Sequence, residues 1–340
     1  MDLIVKKNQS LQSLNTFGIK CSAKLFCSVR NEDAVRRLID DGHFVRETSL
    51  ILGGGSNVLF TKDFDGIVVQ NEIKGIEVIA ETDDWVYVQA GAGENWHEFV
   101  RYCIVQGWNG IENLSLIPGN VGASPMQNIG AYGVELKDVF HELEAIHMKT
   151  GEIHYFDNGQ CEFGYRESIF KKDLKNQYLI SRVTFRLSKY FSGNISYGAI
   201  QQELDQMKTS TLTAAQVSQA VINIRSSKLP DPKILGNAGS FFKNPVVDNA
   251  TLASVLKQFP EVVKYELPDG GFKLAAGWLI EQTGWKGKKL GKCGVHDRQA
   301  LVLVNHGGAS GAEIYELSEQ VLQAVKNKFG VELEREVNIY

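Results

Sequence analysis

Apolar residues along the chain fall into two patterns, a three-to-four-residue spacing and short crowded runs. Ala34, Val35, Leu38 and Ile39 make a helical stripe behind Asn31-Glu32-Asp33, and Gly42 stands where that helix can stop. A side-chain acceptor and acids suit a helix start, and a residue at ease at positive φ suits its end. Trp96, Phe99, Val100, Cys103 and Ile104 predict a second helix over 94–106. Thr213-x-x-Gln216, a capping box ahead of Val217, Ala220, Val221 and Ile224, predicts a third to about Ser227. Further helices are expected at 249–258, 273–283 and 310–328, the last opening with Ser310-x-x-Glu313. The crowded runs predict strands at 50–52, 67–69, 85–88 and 178–187, a hairpin over 142–148 and 151–156, and late strands at 300–305 and 331–339. The reading is α+β with mixed sheets in about three units. Leu229-Pro230-Asp231-Pro232 breaks the chain at one boundary.

Between these elements lie stretches with no packing pattern and much glycine. Composition sharpens this: of 340 residues 33 are Gly and 7 Pro, about 10% and 2%, against averages of roughly 7% and 5%. A flexible or low-complexity composition would raise both. Segments 53–57, 91–93, 119–133 and 236–244 hold 11 of the 33 glycines. That distribution points to backbone that turns tightly or is approached closely by a ligand.

Charge and cysteine usage narrow the classes. With 36 Lys+Arg against 40 Asp+Glu and a net charge of −4, nonspecific nucleic-acid binding is disfavoured. No apolar run approaches the ~18 residues of a membrane span. The N-terminus, Met1–Ser10, with Asp2, Lys6 and Lys7 around a short apolar piece, does not read as a signal peptide. Five cysteines without a C-x-x-C, and seven scattered histidines, give neither a disulfide framework nor a metal site and suit a reducing cytoplasm.

Five constellations can carry chemistry. A strand running into Gly53-Gly54-Gly55-Ser56-Asn57-Val58 exposes backbone N–H groups, a nest for a pyrophosphate or a plain glycine turn. It is neither a Walker loop nor a G-x-G-x-x-G fingerprint. Ile117–Gly133, rich in Gly, Asn and Gln, is a binding loop or an Ω-loop held by its own amides. In Gly236-Asn237-Ala238-Gly239-Ser240-Phe241-Phe242-Lys243-Asn244-Pro245 the serine is a proton donor or nucleophile, or a hydroxyl satisfied within a turn. Arg166, in Phe163–Ser168, is a carboxylate clamp or a packed surface residue. Glu332, Glu334 and Glu336 share one face at strand spacing, either a solvated edge or an acidic group at a site.

Taken together and in order, Gly53–Leu59, Gly91–His97, Ile117–Gly133, Phe163–Phe170, Lys228–Pro232, Gly236–Pro245 and Lys273–Leu279 resemble the UDP-N-acetylenolpyruvoylglucosamine reductase (UDP-N-acetylmuramate dehydrogenase) family over essentially the whole chain. Tyr197-Gly198 and the long middle segment are similar to its longer subtype. The resemblance implies a vanillyl-alcohol-oxidase-type (PCMH-type) FAD fold. Residues 1–70, joined by 331–340, would form one FAD subdomain and 71–227 a second, with 228–330 a substrate domain. It implies FAD held without a covalent bond, NADPH as electron donor, and UDP-N-acetylglucosamine enolpyruvate as substrate, in a cytoplasmic, monomeric protein of peptidoglycan synthesis. Carried onto this sequence, the cofactor loops supply Gly53, Gly54, Gly55, Ser56, Asn57 and Val58, then Pro118, Gly119, Gly122, Ala123 and Ser124, then Gln127, Asn128, Gly130 and Ala131. Substrate contacts fall to Tyr132, Tyr197, Lys228 and Asn244. Ser240 would donate the proton, and Arg166 with Glu336 would stabilise the enolate. Glu332 and Glu334, or burial, are expected to raise the pKa of Glu336. Asn338, where relatives often carry Arg, and the end at Tyr340 are departures.

Overall fold

The computed structural model describes residues 3–208, 211–267 and 270–340; Asp2, used in reading the N-terminus, lies outside them. Contacts divide the chain into two compact units, neither continuous in sequence. The first comprises the described residues within Met1–Gln9, Ala23–Gly54 and Phe64–Ser227. The second comprises those within Ser10–Ser22, Gly55–Asp63 and Lys228–Tyr340.

The first unit contains a four-stranded sheet in the order Lys6–Ser10, Ser22–Val29, Phe64–Asn71, Ser49–Leu52. Phe64–Asn71 runs parallel to both Ser22–Val29 and Ser49–Leu52, with Val29 opposite Asn71 and Leu52 opposite Gln70. Three strands therefore end along one edge, and the glycine run at 53–54 begins there. The helix Glu32–Asp40 starts where the pattern placed it: the Asn31 side chain accepts from Ala34 N–H, and Val35 and Leu38 are buried. Behind this lies a five-stranded sheet in the order Ile153–Asp157, Phe140–His147, Tyr178–Ser188, Trp85–Gly91, Ile76–Glu81. Its hairpin pairs antiparallel with Leu143 opposite Phe156. Helix Trp96–Val105, capped by Asn95, packs Trp96, Phe99 and Val100 against Phe185 and Val183. Helices Gly198–Gln206 and Ala214–Lys228 share a small core of Ile200, Leu204, Val217, Val221 and Ile224.

In the second unit the long helix Gly311–Phe329 opens with the expected capping box, Ser310 and Glu313 exchanging bonds with each other's backbone. It buries Ile314, Leu317, Val321 and Val325 on a sheet in the order Gly236–Ser240, Val302–Asn305, Cys293–Val295, Lys289–Leu290. Asn249–Gln258 is the helix expected, capped by Asp248.

Several expectations are corrected. The proposed helix over 273–283 is a strand, Phe272–Leu274, followed by the helix Ala276–Gln282. Lys273 and Leu274 pair with Tyr265 and Lys264, and that ladder outweighs their helical propensity. The terminal run 331–339 is a strand only at Asn338–Ile339, parallel to Val58–Leu59. Residues 334–336 instead bond to 241–243 through Lys243 N–H to Glu334 O and Glu336 N–H to Phe241 O. The Gly236–Ser240 segment, not predicted as a strand, is one. The strands Ser22–Val29 and Ile76–Glu81 were not predicted; Ile76–Glu81 is a mostly exposed edge, so apolar alternation does not mark it.

Candidate functional site

The glycine loops of the first unit converge. Gly53 and Gly54 leave the sheet edge and meet Gly119-Asn120: a Cβ built on Gly54 would lie 3.0 Å from Asn120 Oδ1 and 3.1 Å from Gly119 Cα. Asn120 Nδ2 donates to Gly93 O at 3.2 Å, and Gly122 N–H donates to Ala92 O at 2.9 Å. A Cβ on Gly122 would collide with that of Ala92. The three separate glycine segments 53–54, 91–93 and 119–122 therefore form one structure whose packing excludes side chains. Beside it a cavity of about 440 Å³ is lined by Arg30, Gln70, Asn71, Glu72, Lys74 and Asn120, with Gly93 and Asn95. Arg30, Asn71 and Glu72 stand at or just beyond the carboxyl ends of the parallel strands, where open α/β sheets bind ligands. Of these lining residues the sequence reading had Gly93, Asn95 and Asn120, inside its glycine-rich motifs; the strand ends at 30 and 70–74 carry no local motif.

From Glu112 to Gln127 the loop is a chain of 3-10 turns held from beneath by buried polar groups. Ser124 Oγ bonds Val121 O at 2.6 Å, and Ser115 Oγ lies 2.7 Å from Ser218 Oγ. Asn128, fully buried at φ 42, donates to Glu135 Oε2 and Gly164 O and accepts from Lys137 N–H. Ser124 and Asn128 thus build the loop, whereas Pro118, Gly119, Ala123, Gln127, Gly130 and Ala131 lie along it and are incompletely buried.

Next to this loop stands an aromatic and cationic group. Tyr132, at φ 52, packs edge-on against Tyr197 with ring centroids 5.3 Å apart. Asn113, buried, ties the two segments by donating to Tyr132 O at 2.9 Å and Asn194 O at 2.8 Å. Arg166, at φ 57, donates from Nη2 to Gly130 O at 2.8 Å and lies over the Tyr165 ring. Arg225 donates from Nε to Leu116 O at 3.3 Å. Burial raises the Tyr132 phenol above its usual value, and the neighbouring Arg225 draws it back. Asn113 and Arg225 were not nominated from sequence.

Within the second unit, Ser240 is set by a bulge. Asn237 pairs with Val304 and Ser240 with Val302, so the register shifts between them, and Gly239 takes φ 70. Asn237, buried, accepts from Gly239 N–H at 2.9 Å and donates to Pro230 O and Leu235 O. A left-handed glycine in a bulged strand re-aims the residue after it. Ser240 is left part-exposed, with Phe241 and Phe242 both buried. Glu336 follows the same segment: its N–H bonds Phe241 O at 2.9 Å, and its carbonyl accepts from Asn57 Nδ2 at 3.2 Å. Gly55, at φ 63, crosses the Leu14 carbonyl, and Val58 pairs with Asn338. Ser56 lies between Gly55 and Asn57 in that turn, and Lys228 is exposed at the end of its helix.

Two sets of nominated residues also make bonds within the protein. Asn244 is committed to the fold, its Oδ1 accepting from Ala276 N–H at 2.9 Å at the start of a helix. Glu332 and Glu334 are each neutralised, by Lys326 and Lys243, both at 2.6 Å. Among the described residues no group of three or more His, Cys, Asp or Glu side chains can hold a metal ion, and no helix is long and apolar enough to cross a membrane.

The fold and the glycine-lined cradle define an FAD-binding oxidoreductase framework. Residues 23–157 match the FAD binding domain, and residues 231–340 match the C-terminal domain of UDP-N-acetylenolpyruvoylglucosamine reductase. The chain is 49% identical over 339 residues to the UDP-N-acetylenolpyruvoylglucosamine reductase of Amoebophilus asiaticus, covering 100% of this chain and 99% of that one. It is 49% identical over 336 residues to that of Flavobacterium johnsoniae, covering 98% and 99%. The crystal structure of the Thermus caldophilus enzyme superposes with a TM-score of 0.69 at 21% identity over 100% of this chain and 99% of that one. The chain belongs to the UDP-N-acetylenolpyruvoylglucosamine reductase family. Its fold is the α+β, PCMH-type FAD fold. It is an FAD-dependent oxidoreductase that reduces the enolpyruvyl ether of UDP-N-acetylglucosamine in peptidoglycan synthesis. NADPH is the electron donor of this family. The cradle suits the cofactor, because a flavin dinucleotide needs backbone N–H groups free of side chains for its pyrophosphate and a polar cavity for its nucleoside.

Proposed function

We propose that Ser240, Arg166 and Glu336 carry the chemistry, with NADPH as donor. FAD, once bound and reduced by NADPH, would supply the hydride for the terminal methylene of the substrate. Negative charge then grows on the adjoining carboxylate, and Arg166 is the group suited to receive it, since guanidinium meets a carboxylate bidentately. Glu336 completes that end if it enters as the protonated acid. Ser240 gives its proton to the carbon next to the carboxylate, on one face. The single observation carrying this reading is the bulge at Gly239, which takes Ser240 out of the regular ladder while Phe241 O is bonded to Glu336 N–H. A structural serine has no need of that displacement.

The cofactor is assigned to Gly53, Gly54, Gly55, Ser56, Asn57 and Val58 and to the 118–131 loop. The substrate is assigned to Tyr132, Tyr197 and Lys228. Asn244 joins them through its amide N–H₂, while its Oδ1 accepts from Ala276 N–H. Residues 1–70 with 331–340, and 71–227, hold FAD in this scheme, and 228–330 the substrate. The protein acts as a cytoplasmic monomer.

The test is anaerobic. NADPH bleaches the oxidised flavin spectrum, and the enolpyruvyl nucleotide restores it. Ser240→Ala is expected to leave reduction by NADPH within about twofold and to slow reoxidation by substrate by roughly 10²–10⁴, the range for loss of a general acid. Equal slowing of the two half-reactions rejects Ser240 as the proton donor.

A further inference from the structure

The stretch 332–337 alternates strictly. Glu332, Glu334 and Glu336 take the even positions, and Leu333, Arg335 and Val337 the odd ones. In extended backbone these two sets point to opposite faces. Arg335 pairs with Phe242, between the bond from Lys243 N–H to Glu334 O and the bond from Glu336 N–H to Phe241 O. The odd face is the inner one: Leu333 and Val337 are buried in the core that holds Phe242, Leu317 and Val321. Arg335, between them, reaches the long helix Gly311–Phe329 with its side chain 19% exposed. Its Nε donates to Ser318 Oγ at 2.8 Å and its Nη2 to Glu319 Oε1 at 2.6 Å, and the guanidinium lies 4.5 Å from the centroid of the Tyr315 ring. Residues 315, 318 and 319 share one helix face, so one side chain is held at three points of that face. Arg335, followed by Tyr315, holds the Glu319 carboxyl below its usual range.

The even face has no such mark. It offers an acid at every second position, so a shift of two residues would set one carboxylate where another stood. The Lys243–Glu334 ion pair would be met by any acid at that place. The Lys326–Glu332 pair is exposed at both ends, where an ion pair adds little. Arg335 is different, because a shift of two residues would carry its guanidinium into the buried place of Leu333 or Val337. An apolar residue at 335 would serve burial as well. What the arginine adds is a fixed position along the helix.

We infer that Arg335 is a positioning residue: by locking 332–337 to the long helix it sets Glu336, and not another acid of the series, opposite Phe241 and so one residue from Ser240. The inference rests on the reading of Glu336 as the acid at the enolate. Arg335 acts through Glu336, whose backbone is bonded at Phe241 O and at Asn57 Nδ2. Without the arginine, the fraction of molecules with Glu336 in that place falls.

The experiment follows the two half-reactions of the FAD-loaded protein without oxygen. It compares wild type, Arg335→Leu, Arg335→Lys, Glu336→Gln and the double variant Arg335→Leu with Glu336→Gln. Arg335→Leu is expected to keep its FAD and to be reduced by NADPH within about twofold of the wild-type rate, while reoxidation by the enolpyruvyl nucleotide slows roughly tenfold or more, as for a misplaced group. Arg335→Lys keeps the charge but not the fork, and recovers part of the loss. With Glu336→Gln already present, Arg335→Leu is expected to slow reoxidation by less than about twofold further, because residues that act as one unit are not additive. Wild-type reoxidation in Arg335→Leu overturns the inference. Equal slowing of both half-reactions overturns it too, as does the same factor of loss with and without Glu336. Should Arg335→Leu lose its FAD, Ser318→Ala with Glu319→Ala removes the helix side of the contact instead. The same split is then expected, and wild-type reoxidation overturns the inference. Glu336→Gln alone tests the reading beneath. If it reoxidises at the wild-type rate, the assignment of Glu336 falls and the inference with it; if it is slow while Arg335→Leu is not, the inference alone falls.

Discussion

A methyl group on Gly55 would run into the Leu14 carbonyl oxygen, and the backbone there is left-handed at φ 63. One glycine away, a methyl on Gly54 would press on the Asn120 side chain and Gly119 Cα at 3.0 and 3.1 Å. The two neighbours therefore serve different masters, one the fold and the other the cradle. Gly55→Ala is expected to cost roughly 1–2 kcal/mol for the backbone and a further ~1–3 kcal/mol for overpacking, read as a lower urea midpoint. Gly54→Ala should shift that midpoint less and show its effect as weaker FAD retention in gel filtration. The sequence concentrates glycine in this run but does not say which glycine meets protein and which meets ligand. Asn244 shows the same limit. An Asn in a motif is chemically able to bind substrate, and only the position of Ala276 N–H, 32 residues on, reveals that its oxygen is taken.

At the scale of elements, the helices were readable because their caps are local. Asn31, Asp248 and Ser310 announce a start within three residues of the groups they satisfy. The segment leading into and through 117–133 was readable only as a binding loop or an Ω-loop. What shapes it are long-range partners, such as Asn113 bonding to Asn194 O and Ser115 meeting Ser218. One partner makes the loop sensitive to pH. His97, on helix Trp96–Val105, accepts Leu116 N–H on Nδ1 at 2.9 Å, so it must be neutral there. Burial holds its pKa below the ordinary value, as it does for His296 and His306. In the unfolded chain these rings take a proton near pH ~6.5, whereas in the folded chain they take it only at lower pH. Their contribution to stability is complete above that value and is lost as pH falls through it toward the folded pKa. The thermal midpoint should therefore drop between pH 7.5 and 5.5, and His97→Gln should flatten the drop. An equal drop in wild type and variant would remove His97 from this account.

For the whole molecule, the break at Leu229–Pro232 was legible, but the two early segments that fold with the C-terminal unit were not. Residues 10–22 and 55–63 join it through bonds such as Asn305 Nδ2 to Phe17 O at 2.8 Å and through the pairing of Val58 with Asn338. No periodicity in a 13-residue or 9-residue stretch encodes a partner some 280 positions away. Cysteine chemistry offers a way to see this division in solution. Cys27, Cys103 and Cys161 lie in the first unit, and Cys21 and Cys293 in the second; all five thiols are free and buried. Burial pushes Cys21 up to about 11 and Cys27 and Cys161 up to about 12. A thiol that is both buried and protonated at pH 8 reacts only when its surroundings open. The native protein should therefore show no rapid reaction with a thiol-disulfide reagent, and five thiols should react in strong denaturant. At intermediate denaturant, peptide mapping of the labelled sites reads the units separately. Cys21 and Cys27 are six residues apart in sequence but belong to different units. If the units open independently, Cys21 labels with Cys293 and Cys27 with Cys103 and Cys161; one common midpoint for all five means they unfold together. Rapid labelling of any of them in the native protein contradicts the burial on which the argument stands.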